Sequence, residues 1–357
     1  MSLPSFSLRK TIACNHVYLP AMKKALITIL KYVIFLGLGI WITYHMLHEL
    51  SDQQRSELVN AIESIDPWYL IPISVVGFFS HYIRAVRWKY LLETIDLHPT
   101  TANTFFAVMI GYITNLALPR AGEVAKCTVL AKYEDMPAHK MVGTIVAERA
   151  WDVLCLFLIA IAAFVMQMSA INAYVGSKMA IVHEKIEAHK TVLVISLIVF
   201  ALIILVLIII YRRNKESKGG MLLKEMTHGI LSIIHMKKKW EFLLLSVVMW
   251  IMYLLQVYIG LRSLHDTHAM SMMAALVVLV YGSLGLIITP GGIGAYPYLV
   301  AQILSGPYSI PEVPAQAFGW IAWALQTVLI ILLGLLSLLL IHSYNKKRNA
   351  KAAVDNK

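Results

Sequence analysis

The sequence predicts an all-α polytopic membrane protein with six full crossings and two opposed re-entrant hairpins of broken helix. Three observations carry this reading. The chain has 357 residues, 59% hydrophobic and 14% charged, where soluble domains run at roughly 25% charged. Several apolar runs reach the roughly 20 residues that cross a bilayer, most plainly TVLVISLIVFALIILVLIIIY at 191–211. Two further runs are broken by proline and glycine at matching points, LALPRAGEVAK at 116–126 and IITPGGIGAY at 287–296.

Taken in order, the apolar segments are 25–47, 67–88, 102–119, 141–168, 191–211, 242–261, 270–289, 295–305 and 315–342. Loop charge sorts them. Residues 212–240 carry Arg212, Arg213, Lys215, Lys218, Lys224, Lys237, Lys238 and Lys239 against Glu216 and Glu225. A loop so rich in Lys and Arg belongs on the cytoplasmic side. The same rule places residues 1–24 and the basic tail 343–357 inside. Loop 48–66 holds Glu49, Asp52, Glu57, Glu63 and Asp66 against a single Arg55, so it lies outside. If 102–119 crossed fully, the basic loop 212–240 would land outside. The conflict vanishes if 102–119 enters from the cytoplasm, turns at Pro119 and returns as 123–136. The segment 270–305 then makes the equivalent hairpin from the outer face. Gly111 stands eight residues before Pro119, and Gly282 eight before Pro290, the weak internal symmetry of an inverted repeat with discontinuous helices. The domain reading is therefore one membrane domain, 25–342, between two cytoplasmic tails, with both termini cytoplasmic in the cell's cytoplasmic membrane.

Broken helices have a physical use. Backbone outside helical geometry cannot be satisfied by lipid and must be buried in protein or line a wet cavity. Pro119 and Pro290 end helices because proline lacks an N–H. Gly122, Gly291, Gly292 and Gly294 allow tight turns. Each helix that restarts aims free N–H groups and its positive dipole end at the protein interior, a setting that favours an anion. Ionisable residues inside membrane segments point to function. They are Arg120, Glu123 and Lys126 after the first break, Glu148, Arg149 and Asp152 in AERAWDV, and Arg84 and Arg87 at the inner end of 67–88. Guanidinium forks match phosphate, so these eight are the candidate substrate-binding residues. The bland alternatives are positive-inside anchoring for Arg84 and Arg87, a structural ion pair for Glu123 and Arg149, and neutralisation of arginines by Glu148 and Asp152.

Other chemistries find little support. HEKIEAH at 183–189 has Glu187 where a zinc-binding HExxH motif needs its second histidine. There is no DxD pair, GxSxG elbow or P-loop lysine motif. Cys14, Cys127 and Cys155 are widely spaced, without a CxxC pair, and suggest neither disulfide nor zinc. No cofactor, metal or catalytic residue is expected. The net charge of +11 sits in short flanks of apolar runs and does not imply nucleic acid. The stretch 221–239 is basic and amphipathic, fit for an anionic leaflet surface or for a solvated linker helix.

LPRAGEVAK, VAERAWDV, TPGGIGAY and the RxxRW pattern at 84–88 resemble, in this order, the motifs of the lysylphosphatidylglycerol synthase transmembrane-region family, also called flippase-like domain proteins. The resemblance covers roughly residues 25–342. It implies a membrane domain that flips a phospholipid, and it carries Arg120, Gly122, Glu123, Glu148, Arg149, Asp152, Pro290, Gly291, Gly292 and Gly294 over as motif positions. Full-length members add a soluble synthase domain. Only residues 343–357 follow the last apolar segment here, so the resemblance implies translocation, with a separate synthase as partner. Lys126 stands where arginine is commoner, and Pro297 where many relatives have glutamate. The expectation is a transporter moving a lipid with an anionic, phosphate-containing headgroup (a phospholipid, an aminoacyl-phospholipid or a polyprenyl-phosphate type). Lacking an ATP motif, it would run downhill or on an ion gradient. The alternatives are a membrane-embedded transferase acting on such lipids and an accessory subunit of a lipid synthase.

Overall fold

A computed structural model describes residues 34, 36–118, 121–166, 233 and 236–355. The expected crossing at 191–211, the N-terminal tail, most of the basic loop 212–240, and Pro119 and Arg120 at the first break lie outside the described residues. Within them the chain is helical throughout. In chain order the helices are α1 (36–48), α2 (Asp52–Glu63), α3 (Leu70–Glu93), α4 (Thr101–Ala117), α5 (Ala121–Glu134), α6 (Ala138–Met166), α7 (Lys239–Arg262), α8 (Met272–Ile288), α9 (Ala295–Ser305) and α10 (Glu312–Asp355). Four have the length and hydropathy of membrane spans: α3 with the 3₁₀ turn before it, α6, α7 and α10. They coincide with four of the six crossings expected from sequence.

The contacts between helix ends agree on two faces. On one, the Asp66 amide donates to the Ser263 carbonyl at 3.3 Å, joining the start of α3 to the end of α7. On the other, Lys238 Nζ lies 2.7 Å from Glu93 Oε2, joining the end of α3 to the start of α7. Two apolar clusters stack between these faces. The one at the Lys238 end, named inner for the side that the loop charges lead one to expect, gathers Ala85, Trp88, Leu91, Leu130, Met141 and Phe242. The outer one gathers Leu58, Leu261, Val278, Val300, Leu304 and Phe318. Large apolar side chains on the outside of the bundle, Phe79, Leu244 and Leu339 among them, are exposed, as lipid-facing positions require. Exposed Trp68 and Trp240 stand at opposite ends of the spans, where indole rings suit both membrane interfaces.

Two hairpins of short helix lie among the long ones. Helix α4 has 17 residues, about 25 Å of rise, and α5 has 14, about 21 Å. They run antiparallel. A Cβ on Gly122 would strike the Gly111 carbonyl oxygen, and one on Gly111 would lie 2.8 Å from that of Gly122. Only glycine at both positions permits this approach, the small-residue packing that membrane helices use. Helices α8, with 17 residues, and α9, with 11, form the second hairpin around a 3₁₀ turn at Pro290–Gly292. Gly291, Gly292 and Gly294 take φ of 65°, 74° and 71°, left-handed backbone that other residues adopt only with strain. The first hairpin belongs to the inner cluster and the second to the outer. Their tips meet, since a Cβ on Gly291 would lie 3.2 Å from Leu116 Cδ2.

The repeat is closer in structure than in sequence. Thr100 caps α4 by accepting the Asn103 amide, and Ser271 caps α8 by accepting the Ala274 amide. Both caps, both helix ends and both prolines recur at one constant spacing. Each hairpin follows a 24-residue helix, α3 or α7, and precedes a long one, α6 or α10.

Two regions differ from the sequence reading. Loop 48–66 contains α2, started by a capping box in which Ser51 Oγ accepts from the Gln54 amide and Gln54 Oε1 accepts from the Ser51 amide. The S-x-x-Q signature was present, but the polar helix behind it has no strong apolar period. The basic tail 343–357 is no separate segment as far as Asp355, because α10 runs on for 44 residues, about 66 Å. Its extension is held by Asn345, which exchanges side-chain amide bonds of 2.8 and 2.9 Å with Asn103 on α4. Arg348 adds a 2.9 Å bond to Glu134 at the end of α5. The base of the inner hairpin is thereby tied to the last helix.

Candidate functional site

Two arginines one turn apart on α3 start the site. The apolar run before them is long enough to draw the whole helix into the membrane, so Arg84 and Arg87 are buried and must find partners. Helix α6 supplies them. Glu148 and Asp152, four residues apart, share one face. Arg84 Nη1 lies 3.3 Å from Glu148 Oε1, and Arg84 Nη2 lies 3.0 Å from Asp152 Oδ2. The second contact is an ion pair without hydrogen-bond alignment. Arg87 Nη2 donates to Asp152 Oδ1 and, at 3.5 Å, to Glu148 Oε1. Lys126 Nζ, arriving from α5, donates to Glu148 Oε2 at 2.9 Å and sits 4.2 Å above the Trp88 ring. Three cations therefore surround two carboxylates in a nearly dry layer.

A second ring of contacts fixes these groups. Tyr253 OH on α7 accepts from Arg84 Nε at 3.3 Å. Ser246 Oγ accepts from Arg87 Nη1 at 3.3 Å and from Trp151 Nε1 at 3.1 Å. Trp88 Nε1 donates to Thr144 Oγ1 at 3.0 Å. Removing one partner from such a network leaves a buried charge unbalanced, at a cost of about 3–5 kcal/mol.

Arg149 is placed otherwise. It follows Glu148 directly and so turns away from the Glu148 face, toward α5. Its Nη2 lies 3.3 Å from Glu123 Oε1, and its side chain is 44% exposed. Arg149 also lines a cavity of about 370 Å³. That cavity is bounded by α3, α4, α6 and α7 on one side and by α8, α9 and α10 on the other. At one end its wall holds Arg84, Arg149, Asp152, His81 and Tyr112; the rest is mainly apolar. A crevice of about 10 Å³ adjoins it between α4, α5 and α6, shares Arg84, Tyr112 and Arg149, and reaches Glu123 and Lys126. His81, fully enclosed, has no hydrogen-bond partner for Nδ1 and stacks edge-on to Tyr112 at 5.3 Å.

The eight residues named from sequence thus divide. Arg84, Arg149 and Asp152 meet at the cavity wall. Arg87, Lys126 and Glu148 stand behind it in the ion network, with no cavity-lining role for Arg87 or Glu148. Glu123 holds Arg149. Arg120 lies outside the described residues. The glycines of both breaks shape the hairpin tips, and the Asn115 side chain accepts the Gly122 amide at 2.8 Å, capping α5. The bland reading of Arg84 and Arg87 as interface anchors gives way, since both are enclosed and paired with α6. Sequence reasoning missed Tyr253, Ser246, His81, Tyr112 and Asn115. Tyr253 is one of 17 tyrosines and lies in an apolar run where nothing marks it. His81 carried a weak signal, as a polar residue one turn before Arg84. Among the described residues no group of His, Cys, Asp and Glu is placed to hold a metal ion.

Comparison with known proteins places this architecture. The chain is 21% identical over 309 residues to a UPF0104 membrane protein of Methanocaldococcus jannaschii, a match covering 83% of this chain and 91% of that one. It is 22% identical over 279 residues to a UPF0104 membrane protein of Methanothermobacter thermautotrophicus, covering 73% and 82%. No solved structure matches. The family described as lysylphosphatidylglycerol synthase TM region matches residues 28–341, a span that contains both hairpins and every residue of the ion network, and the chain, a multi-pass membrane protein, belongs to that family.

Proposed function

We propose that the protein is a lipid translocator of the cytoplasmic membrane, with both termini inside, carrying a phosphate-containing headgroup through the central cavity. The observation that carries this is the division of the cavity wall, with guanidinium at one end and apolar surface over the rest. A lipid is divided in the same way. The phosphate sits against Arg149 and the flank of Arg84, near the tips of the two hairpins. Arg120, which the sequence puts directly after the first break, keeps its expected phosphate-binding role as part of this proposal. Glu123 orients Arg149, while Glu148 and Asp152 orient Arg84. Arg87 and Lys126 act from behind, keeping the two carboxylates engaged. The acyl or isoprenoid chains remain among the exposed apolar side chains of the bundle, in lipid.

Family membership supports a role in membrane-lipid chemistry or transport. The geometry favours transport over a transferase, because Glu148 and Asp152 are each gripped by cations and neither presents a free carboxylate for acid–base work. The test is a reconstituted vesicle assay with headgroup-labelled phosphatidylglycerol. The expected result is passage of unchanged lipid between leaflets, reduced at least roughly tenfold by Arg149→Gln. A chemically altered lipid would instead identify a transferase, and an inert vesicle an accessory subunit. Wild-type rates in Arg149→Gln would remove the cavity assignment.

A further inference from the structure

Resting on that cavity, we infer that the site selects lipids of net negative charge and discriminates against headgroups bearing an ammonium, such as aminoacylated phospholipids. The argument is a census of what a cation would meet. Among the described residues, apart from tyrosines, the ionisable groups of the cavity wall are Arg84, Arg149, Asp152 and His81. Asp152 is the single carboxylate among them, and both its oxygens are held by arginines. Glu148 is fully enclosed and receives Arg84, Arg87 and Lys126. Glu123 has one oxygen on Arg149. Its other oxygen has no partner but faces a crevice of about 10 Å³, room for about one water and not for an alkylammonium chain. His81, whose Nδ1 has no partner, can as a neutral ring accept one N–H but brings no negative charge to balance an ammonium.

The outer half offers no relief. Helices α8 and α9 contain no Asp or Glu. Pro297 packs its backbone against Gly319 of α10. Within α10, Glu312 lies in the first turn, bonded to Gln316, and the next carboxylate is Asp355. The apolar run 191–211 holds no carboxylate either. Among the described residues, Arg84, Arg87, Lys126 and Arg149 stand against Glu123, Glu148 and Asp152, an excess of one positive charge. A phosphodiester balances it. A headgroup with an added ammonium brings a further cation beside Arg84 and Arg149, and like charges so placed are costly.

The experiment is competition between phosphatidylglycerol and lysylphosphatidylglycerol for the purified chain, read as retained lipid by native mass spectrometry, beside the vesicle assay with both lipids. The expected result is roughly tenfold preferential retention of phosphatidylglycerol, collapsing toward parity in Arg149→Gln. Equal or preferred retention of the lysylated lipid overturns the inference, as does a preference that Arg149→Gln leaves intact. Charge reversal in Arg149→Glu is expected to favour the lysylated lipid; if that variant does not fold, the wild-type and Arg149→Gln results decide. Selective retention without any passage would uphold the headgroup inference and sink the translocator reading. Equal passage of both lipids would do the reverse.

Discussion

The two hairpins share a backbone plan and almost nothing else. Each has a 17-residue first helix with a Ser or Thr cap, a proline at the same place, and a short return helix. In the inner hairpin the helices touch through backbone, Gly111 on Gly122. In the outer one the Tyr296 ring lies over Gly282, and the close backbone approach moves one turn toward the tip, to Gly285 against Tyr296. The inner return helix is capped by a side chain, Asn115. The outer turn is satisfied by Thr289 Oγ1, which donates to the Ile293 carbonyl at 2.9 Å, and by Trp323 Nε1, which donates to that of Gly291 at 2.8 Å. The inner hairpin carries Glu123 and Lys126 into the membrane; the outer carries no charge. The difference teaches that the repeat constrains the course of the backbone, while the chemistry has gathered in one half. The outer half supplies an apolar wall.

The comparison breaks most readily at the charged half. Glu148→Ala strands Lys126 and leaves Arg84 and Arg87 to share Asp152, and the loss should be about 3–5 kcal/mol, seen as a large fall in detergent Tm and in folded yield. In the outer half, Ala322 on α10 is an apolar residue of the cavity wall, and Ala322→Ser should change Tm little. If Glu148→Ala unfolds no more easily than Ala322→Ser, the ion layer is not the keystone of the inner half.

Next come the close approaches. Gly122→Ala drives a Cβ into the Gly111 carbonyl, and Gly294→Ala meets both positive φ and the Gly39 carbonyl. Each should cost roughly 1–3 kcal/mol, measured by thermal unfolding. The two differ in what relieves them. Gly291, at φ 65° with only a Leu116 methyl nearby, should accept Asn better than Ala, because Asn visits left-handed backbone more readily. An equal penalty for Asn and Ala at Gly291 would show that crowding, not backbone conformation, sets the requirement.

How far this asymmetry was legible follows from the kind of signal each part emits. Pro290 with its three glycines, and Pro119 with Gly122, announce the breaks locally. The charge of the loops forces an even count of passes between them, which a single helix could not reveal. The alignment of Gly111 and Gly282 ahead of the prolines exposed the repeat. Partnership was legible only in part: Glu148 and Asp152 could be read as neutralising arginines, but which arginine meets which carboxylate could not. Arg87 meets Glu148 and Asp152 from a helix more than sixty positions away, and nothing periodic links them. The same holds for Tyr253 and Ser246, ordinary residues in an apolar helix until Arg84 and Arg87 lean on them. Arg149 was legible as a charge in a membrane helix and its pairing with Glu123 as one bland reading, but its place on the cavity wall, with Glu148 behind it, was not.

The turn supports are a smaller lever. Asn115→Ala deprives the Gly122 amide of its acceptor, and Trp323→Phe deprives the Gly291 carbonyl of its donor. Each removes one hydrogen bond in a partly buried turn, worth about 1 kcal/mol. Equal losses of Tm are expected, but unequal losses of function. Asn115 positions the start of α5, hence Glu123 and Arg149, so its removal should slow lipid passage more than Trp323→Phe does. Matching functional losses would argue that both tips, and not the inner one alone, set the geometry of the phosphate end.

The smallest effect is the most discriminating. Glu123 and Arg149 are both partly exposed, Arg149 at the cavity and Glu123 at the adjoining crevice, and pairs of that kind contribute about 0–1 kcal/mol to stability. A double-mutant cycle with Glu123→Gln and Arg149→Gln should therefore show little coupling in Tm. In lipid retention the two should oppose each other. Glu123→Gln frees the guanidinium and raises the local positive charge, so phosphatidylglycerol should be held more tightly. Arg149→Gln removes the cation and should weaken it. A purely structural pair would give the contrary pattern, with strong coupling in Tm and parallel losses in retention, because both substitutions would then loosen the same contact between α5 and α6. The sign of the Glu123→Gln effect on retention thus separates an ion pair that holds the hairpin from one that holds an arginine ready for an anion.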